Sequence, residues 1–317
     1  MTRTGRLLDK ILVPGSPEWL YDRFSSSRIA AVSGTSPYES RFSLWHRMAG
    51  NASGQAVNEQ MMIGHYFEPA VAQWFSDQHP EWGITRTGTW EHRVRTWQIA
   101  SPDRMLHQPD PGWEPETVDD GVIDVPVLNE NSSILECKFS QYEDGWDDDN
   151  VTLDYYDQVQ WQLDTLGLDH AYVAVYFGIS MKFREYRIEY NPRRAAELRE
   201  LALAFMDSLP NGTNPQPPNV DSHTETYVVL RELNPDIDGD ITLPDEIAEQ
   251  YRAAKDGMRA AKEAEQLAVN TIAQQMGTAK RAFDTNGVLV ATRQAGRNGA
   301  PPFVKAPAQT KANRKAA

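Results

Sequence analysis

The chain has a single cysteine, Cys137, among 317 residues. One thiol cannot close a disulfide within the chain, complete a four-thiolate zinc site or hold an iron–sulfur cluster. Cys137 is expected to pack as a small apolar side chain in a reducing compartment. No run of eighteen apolar residues occurs, and the first residues carry no apolar segment of the secretory kind, so a cytoplasmic protein is expected. Histidines such as His65, His79, His92 and His107 are scattered, with no pair at metal-binding spacing. No glycine-rich loop ending in Lys-Ser or Lys-Thr is present, which argues against ATP use.

Basic residues are scarce too: 31 Lys and Arg stand against 45 Asp and Glu, a formal charge of −14. That balance disfavours a polyphosphate partner, because phosphate contacts require Lys and Arg. The shortage is uneven. Residues 278–317 carry eight basic side chains and only Asp284, so this segment is +7 and the remainder −21. Bound cations also invert the local logic of an acidic site.

The most informative triplet is Glu136-Cys137-Lys138, at the end of an apolar run that reads as a strand. Alternation puts Glu136 and Lys138 on one face and Cys137 on the other. Asp103, in Ser101-Pro102-Asp103, is free to approach from a neighbouring strand. Two carboxylates are hard ligands for Mg²⁺, and a lysine beside them can hold or activate an attacking water. A lone triplet of this kind is more often a surface salt bridge, so its neighbours decide. Upstream, Phe67, Val71, Trp74 and Phe75 recur at helical spacing and place Glu68 on an amphipathic helix. Downstream, Val159, Leu163 and Leu166 mark a second helix, with Gln158 and Gln162 four apart on one side. Gln158 can hold a water through its amide. Gln160 competes for that role, but two residues of helix separate them by about 200° and only one can face the site.

The order is helix with Glu, strand with Asp, strand with Glu-x-Lys, helix with Gln, strand. In this the chain resembles the YqaJ-type viral recombinase family, the lambda-exonuclease-like phage enzymes of the PD-(D/E)xK nuclease superfamily. The resemblance covers roughly residues 17 to 210. It rests on Trp19-Leu20 with Arg23, Ser27 through Gly34, Ser36-Pro37-Tyr38, Gly64 with Glu68-Pro69, Ser101-Pro102-Asp103, Glu136-Cys137-Lys138 and Gln158-Val159-Gln160.

The resemblance implies an α/β (α+β) fold: a central mixed sheet flanked by helices. It implies an Mg²⁺-dependent exonuclease, with Mn²⁺ able to substitute, acting 5′-to-3′ on linear duplex DNA. The 3′ single strands left behind would pass to an annealing protein in homologous recombination, and a trimeric ring is implied as well. Asp103, Glu136 and the Cys137 carbonyl would hold the metal, with Glu68 a ligand directly or through water. Lys138 would orient the nucleophilic water and stabilise developing charge, and Gln158 would assist. Arg23 and Ser27 resemble the family's pocket for a 5′-terminal phosphate, with Ser101 a further contact. The loop between them is shorter than the family's, and Arg28 stands where an acid is common, so the phosphate contact is open between Arg23 and Arg28. Trp146, after the Glu-x-Lys strand, is weighed between base stacking and core packing. Two alternatives stay open: an endonuclease of the same superfamily, disfavoured by the phosphate pocket, and a non-catalytic DNA-binding or assembly module, disfavoured by the complete acidic set.

The expected organisation is a nuclease domain over 1–210, a linker at 211–221, a helix-and-hairpin extension over 222–294 and a disordered basic tail over 295–317. Helices are expected from Pro17 to Gly34, through Leu44 to Met48, near 58–79, over Tyr155–Leu163 with Leu166 on its stripe, and near 192–209. Strands are expected near 84–90, 93–101, 132–139, 171–177 and 182–189, and a short one over Thr226–Leu230. A long helix should run from Pro244 to Gly277, before a hairpin turning at Asn286-Gly287.

Overall fold

The structure is a computed structural model that describes residues 2–8, 23–54, 59–108 and 128–307. The expectations for Pro17, Trp19 and Leu20 and for the end of the basic tail lie outside the described residues. The chain divides into two compact units, residues 1–237 and 238–317.

The first unit opens with β1 (Gly5–Leu7) and β2 (Phe24–Ser25), then a 3-10 turn over Ser26–Arg28 that leads into α1 (Ile29–Ser33). Gly34, in the left-handed region at φ 79°, stops α1. Next comes α2 (Arg41–Met48), started by a reciprocal cap in which Ser43 N–H donates to Ser40 Oγ at 2.9 Å and Ser40 N–H to Ser43 Oγ at 3.0 Å. There follow α3 (Glu59–Gln78), β3 (Gly83–Arg86), β4 (Trp90–His92), β5 (Gln98–Ala100), β6 (Arg104–His107) and β7 (Ser132–Ser140). The unit ends with α4 (Leu153–Leu166), β8 (His170–Phe177), β9 (Lys182–Glu189), α5 (Pro192–Asp207) and α6 (Thr224–Leu233).

The central sheet has the order β3-β6-β7-β8-β9, antiparallel except for the parallel β7–β8 pair. Parallel neighbours need a crossover, and α4 supplies it. Side-chain alternation then sorts the sheet into two faces. Leu106, Leu135, Cys137 and Ala174 pack under Val71, Ala72 and Phe75 of α3. Met105, Ile134, Val173 and Val175 pack under Val159, Leu163 and Leu166 of α4. A smaller sheet, β1-β4-β5-β2, adjoins α4. Trp161 of α4 anchors a third apolar cluster with Phe24, Ile29, Trp45, Leu198 and Phe205. The expected mixed sheet flanked by helices is therefore present. Among the described residues no helix is long and apolar enough to cross a membrane.

The second unit holds α7 (Asp245–Met276) and the antiparallel sheet β10 (Arg281–Phe283), β11 (Leu289–Gln294) and β12 (Phe303–Lys305). Gly287, at φ 80°, turns the expected hairpin.

Several expectations differ from the structure, the first being the helix expected from Pro17 to Gly34, whose described part is β2, a 3-10 turn and α1. The strand expected over 93–101 is only the short β5, because His92 Nδ1 accepts from Val94 N–H at 3.1 Å and Arg95 N–H at 3.0 Å and so fixes a turn before it. Asp103 is not on a strand; it occupies the turn that enters β6. Thr226–Leu230 belongs to α6, whose Thr226 and Val229 are buried. Short apolar runs of this kind do not separate strand from helix by periodicity. In the first unit α6 docks on α2 through Thr226 Oγ1 to Ser40 Oγ at 2.7 Å and Arg47 to Glu225 at 2.7 Å, and this unit runs to Ile237. Within the basic segment, β12 pairs with β11.

His79, just past α3, ties that helix to β9. Its ring contacts Glu185 at 2.8 Å and Glu81 at 2.9 Å. Burial lowers the His79 pKa, but the two carboxylates outweigh it and raise it above the usual value. The folded pKa exceeds the unfolded one, so the contribution is complete at pH below about 6.5 and is lost as pH rises through the folded pKa. Urea denaturation should therefore give a wild-type midpoint that falls between pH 6 and 8, and His79→Gln should flatten that slope.

Candidate active site

Strand β7 presents Glu136 and Lys138 toward α4, and that helix brings two glutamines to meet them. Glu136 Oε1 accepts from Lys138 Nζ at 2.7 Å and from Gln158 Nε2 at 2.5 Å. Glu136 Oε2 accepts from Gln162 Nε2 at 2.9 Å. Lys138 Nζ also donates to Gln158 Oε1 at 3.3 Å and lies 4.7 Å from the centre of the Tyr155 ring. Gln160 points elsewhere, donating to Glu189 O at 2.8 Å and accepting from Asn191 N–H at 2.7 Å.

Asp103 reaches the same strand from the turn before β6. Its Oδ2 accepts from Cys137 N–H at 2.7 Å. In a strand the N–H and C=O of one residue face the same neighbour, so the Cys137 carbonyl lies on the Asp103 side, where β6 has ended. Glu68 of α3 accepts from Arg104 Nη1 at 2.6 Å. Glu68, Asp103, Arg104, His65 and Arg86 line a common cleft of about 410 Å³.

The electrostatics follow from this crowding. Burial, reinforced by Glu136 and Glu68 and opposed by Lys138, pushes the Asp103 carboxyl up to about 8. Burial disfavours the Lys138 ammonium, but Glu136 and Asp103 outweigh it, and Lys138 is held above the usual lysine range. Burial raises the Cys137 thiol, so it stays protonated and unreactive.

No group of three or more His, Cys, Asp or Glu side chains converges on one point among the described residues. Glu136 is engaged by Lys138 and two glutamines, and Glu68 by Arg104. The donors that remain together are Asp103, Glu136 and the Cys137 carbonyl. This oxygen set, with Asp103 raised by burial and by its carboxylate neighbours, fits a small hard cation that keeps several waters, the habit of Mg²⁺, better than an all-protein cage.

Arg23 is half-buried and donates to Glu91 Oε2 at 2.7 Å. Ser27 is exposed, its Oγ 3.0 Å from Ser25 Oγ. The parallel pairing of β2 with β5 sends the chain after Ser25 in the same direction as the chain after Ile99, toward Ser101 and Asp103. Ser101 is exposed, its Oγ 3.0 Å from Thr89 Oγ1. Arg28 is buried, with Nη1 3.7 Å from Met48 Sδ, and desolvation lowers its pKa to about 9 against the pull of Glu39. Solvent thus meets Arg23 and Ser27 and not Arg28. Trp146 is a core residue, edge-on to Phe177 at 5.5 Å, and has no open face for a base.

Sequence reasoning missed three neighbours of the site: Gln162 as a direct partner of Glu136, Tyr155 beside Lys138, and Arg104 on Glu68. The Gln158–Gln162 spacing was the available signal for the first. Nothing in the sequence pairs Arg104 with a residue thirty-six positions earlier.

Residues 18–169 match the YqaJ-like viral recombinase domain family. No curated protein matches the chain significantly. Among solved structures, the chain is similar to an alkaline exonuclease from Laribacter hongkongensis, with 20% identity over 60% of this chain and 91% of that one, at a TM-score of 0.43. The same enzyme in complex with dAMP matches with 19% identity and a TM-score of 0.43 over the same shares. A protein designated SSO0001 is similar over 66% of this chain and 85% of that one, with 10% identity and a TM-score of 0.40.

Asp103→Asn removes the repulsion with Glu136 and Glu68 while keeping an acceptor for Cys137 N–H. Scanning calorimetry of metal-free protein at pH 8 should show a higher Tm for this variant than for wild type. Adding Mg²⁺ should raise the wild-type Tm and leave the variant's unchanged, since a ligand stabilises only the state that binds it.

Proposed function

We propose, for a chain whose residues 18–169 form a YqaJ-like viral recombinase domain, a metal-dependent DNA exonuclease that resects linear duplex from 5′ ends and leaves 3′ single strands for recombination. The family match supports a recombination-associated nuclease. The observation that carries the chemistry is the meeting of Asp103, Glu136 and Lys138 along the middle of β7, with Asp103 bonded to Cys137 N–H at 2.7 Å.

Asp103, Glu136 and the Cys137 carbonyl would hold Mg²⁺, with Glu68 adding charge nearby. The bound ion would supply Lewis acidity and a more acidic water. The chain's own groups do the rest. Lys138, kept protonated by its carboxylate neighbours, donates to the attacking water or to a non-bridging phosphate oxygen as charge develops there. Gln158 touches both Lys138 and Glu136, so it fixes the distance between them. The Tyr155 ring covers the ammonium and limits the directions in which it can donate. Arg23 and Ser27 would receive the terminal phosphate, with Ser101 nearer the scissile bond. Arg23 must then exchange or share Glu91, which Arg6 also holds. A single-strand annealing protein and a trimeric ring belong to this reading as partners.

Lys138→Ala should lower turnover by about a hundredfold or more, the usual cost of losing one donor to developing charge. Its Mg²⁺-induced Tm shift should persist, because Lys138 is not a ligand. Turnover at the wild-type rate under saturating Mg²⁺ would refute the role.

End preference tests the polarity. Charge-assisted hydrogen bonds contribute roughly 1.5–3 kcal/mol. Duplex bearing 5′-phosphate should therefore be digested about tenfold faster than its 5′-hydroxyl counterpart, and Arg23→Ala should abolish the difference. Rapid cutting of closed circular duplex would instead identify an endonuclease.

A further inference from the structure

The three-stranded sheet of the second unit has one covered face and one open face. Register assigns them. Ala282 pairs with Ala291, and Arg293 with Val304, and these side chains are buried or partly buried. Arg293 also donates to the Gly277 carbonyl at the end of α7. The opposite face carries Arg281, Thr292 and Lys305 in register as one row across all three strands, and Gln294 opposite Phe303. Phe283 joins that face, with the Arg281 guanidinium 5.9 Å from its ring centre.

Two phenylalanines on this face are open to solvent, Phe283 at 54% and Phe303 at 49% exposure. Their exposure costs hydrophobic free energy and adds nothing to the fold's core. The charge pattern is equally one-sided. Residues 277–307 carry five basic side chains and one acid, so this segment is +4 in a chain of −14. Its one acid, Asp284, is tied to the turn through Asn286 N–H and Val288 N–H, at 2.9 and 2.8 Å. No acidic side chain stands on the open face.

We propose that the open face of β10–β12 is a platform for single-stranded DNA, with bases stacking on Phe283 and Phe303 and phosphates meeting Arg281 and Lys305. Charge complementarity selects the occupant: a polyanion whose repeating unit also offers flat apolar rings. Stacked bases on exposed aromatics, flanked by cations, are the general solution for binding a single strand without reading its sequence. A duplex keeps its bases inside and would leave both rings uncovered. The choice of DNA over RNA rests on the nuclease reading, since resection yields a single strand of DNA. The platform then retains the strand the hydrolytic site leaves behind.

Fluorescence anisotropy of the full chain with labelled oligothymidylate, in EDTA so that no cleavage occurs, tests this. Phe283→Ala with Phe303→Ala should weaken binding about tenfold or more without changing the salt dependence. Phe283→Tyr with Phe303→Tyr should bind as wild type, which separates stacking from any loss of folding. Arg281→Gln with Lys305→Gln should reduce the slope of log K against log salt by about 1.4, since single strands lose about 0.7 per phosphate contact. Wild-type affinity in the double alanine variant overturns the platform, as does a monomer-to-dimer difference between the two proteins with unchanged DNA affinity. Because the assay needs no hydrolysis, single-strand binding by a protein that never cleaves DNA would sink the nuclease reading and leave the platform standing.

Discussion

The parallel pairing of β7 with β8 is the constraint on which the rest of the first unit depends. Two parallel neighbours cannot be joined by a tight turn, so the chain between them must cross one face of the sheet. Here α4 makes that crossing, and it lies over the face that carries Glu136 and Lys138. The helix stripe of Val159, Leu163 and Leu166 fixes its rotation on the sheet. Gln158 and Gln162 then have no freedom to choose partners; they descend onto Glu136. The same crossing carries Asp157, the neighbour of Gln158, to Arg194 at 2.7 Å and Ser33 at 2.7 Å, which clamps the helix between α1 and α5.

A site built this way concentrates like charge at the edge of a packed core. Asp103, Glu136 and Glu68 would repel one another without relief, and Lys138 and Arg104 supply part of it through 2.7 and 2.6 Å contacts. Buried ion pairs of this kind add little net stability, because desolvation of both partners offsets their attraction. Their worth is positional. A lysine already paired to a carboxylate cannot drift, and the raised Asp103 pKa reflects first its burial and then the neighbouring carboxylates that Lys138 only partly offsets.

Much of this was legible in the residues. The strand with Glu-x-Lys, the amphipathic helix with Glu68, the Gln158 helix and the long final helix each carry strong periodic or motif signals. The failures share a cause. Arg104–His107 is buried along its whole length, so β6 shows no alternation. The turn that takes the place of strand over 93–97 depends on the His92 ring, a contact with no pattern. Reading Thr226–Leu230 as a strand ignored its polar partners, because Ser40, Arg47 and Ser53 lie far back in the sequence. Arg28 shows the limit for single residues: its type suggested a phosphate contact, but its burial beside Met48 is a tertiary fact.

The docking of α6 on α2 sets how short this protein can be made. Ending the chain at Pro210, where composition invites a cut, would take away Glu225 and Thr226 together. The Arg47 guanidinium, almost wholly enclosed, would lose one of its two carboxylates and keep only Glu39 and the Ser53 carbonyl, and the buried Ser40 hydroxyl would lose its Thr226 neighbour. Both changes fall on the helix that covers Trp161, the anchor of the Gln158 helix. A minimal hydrolytic fragment therefore ends beyond Leu233, and proteases that nick exposed loops should leave α6 attached to the larger piece.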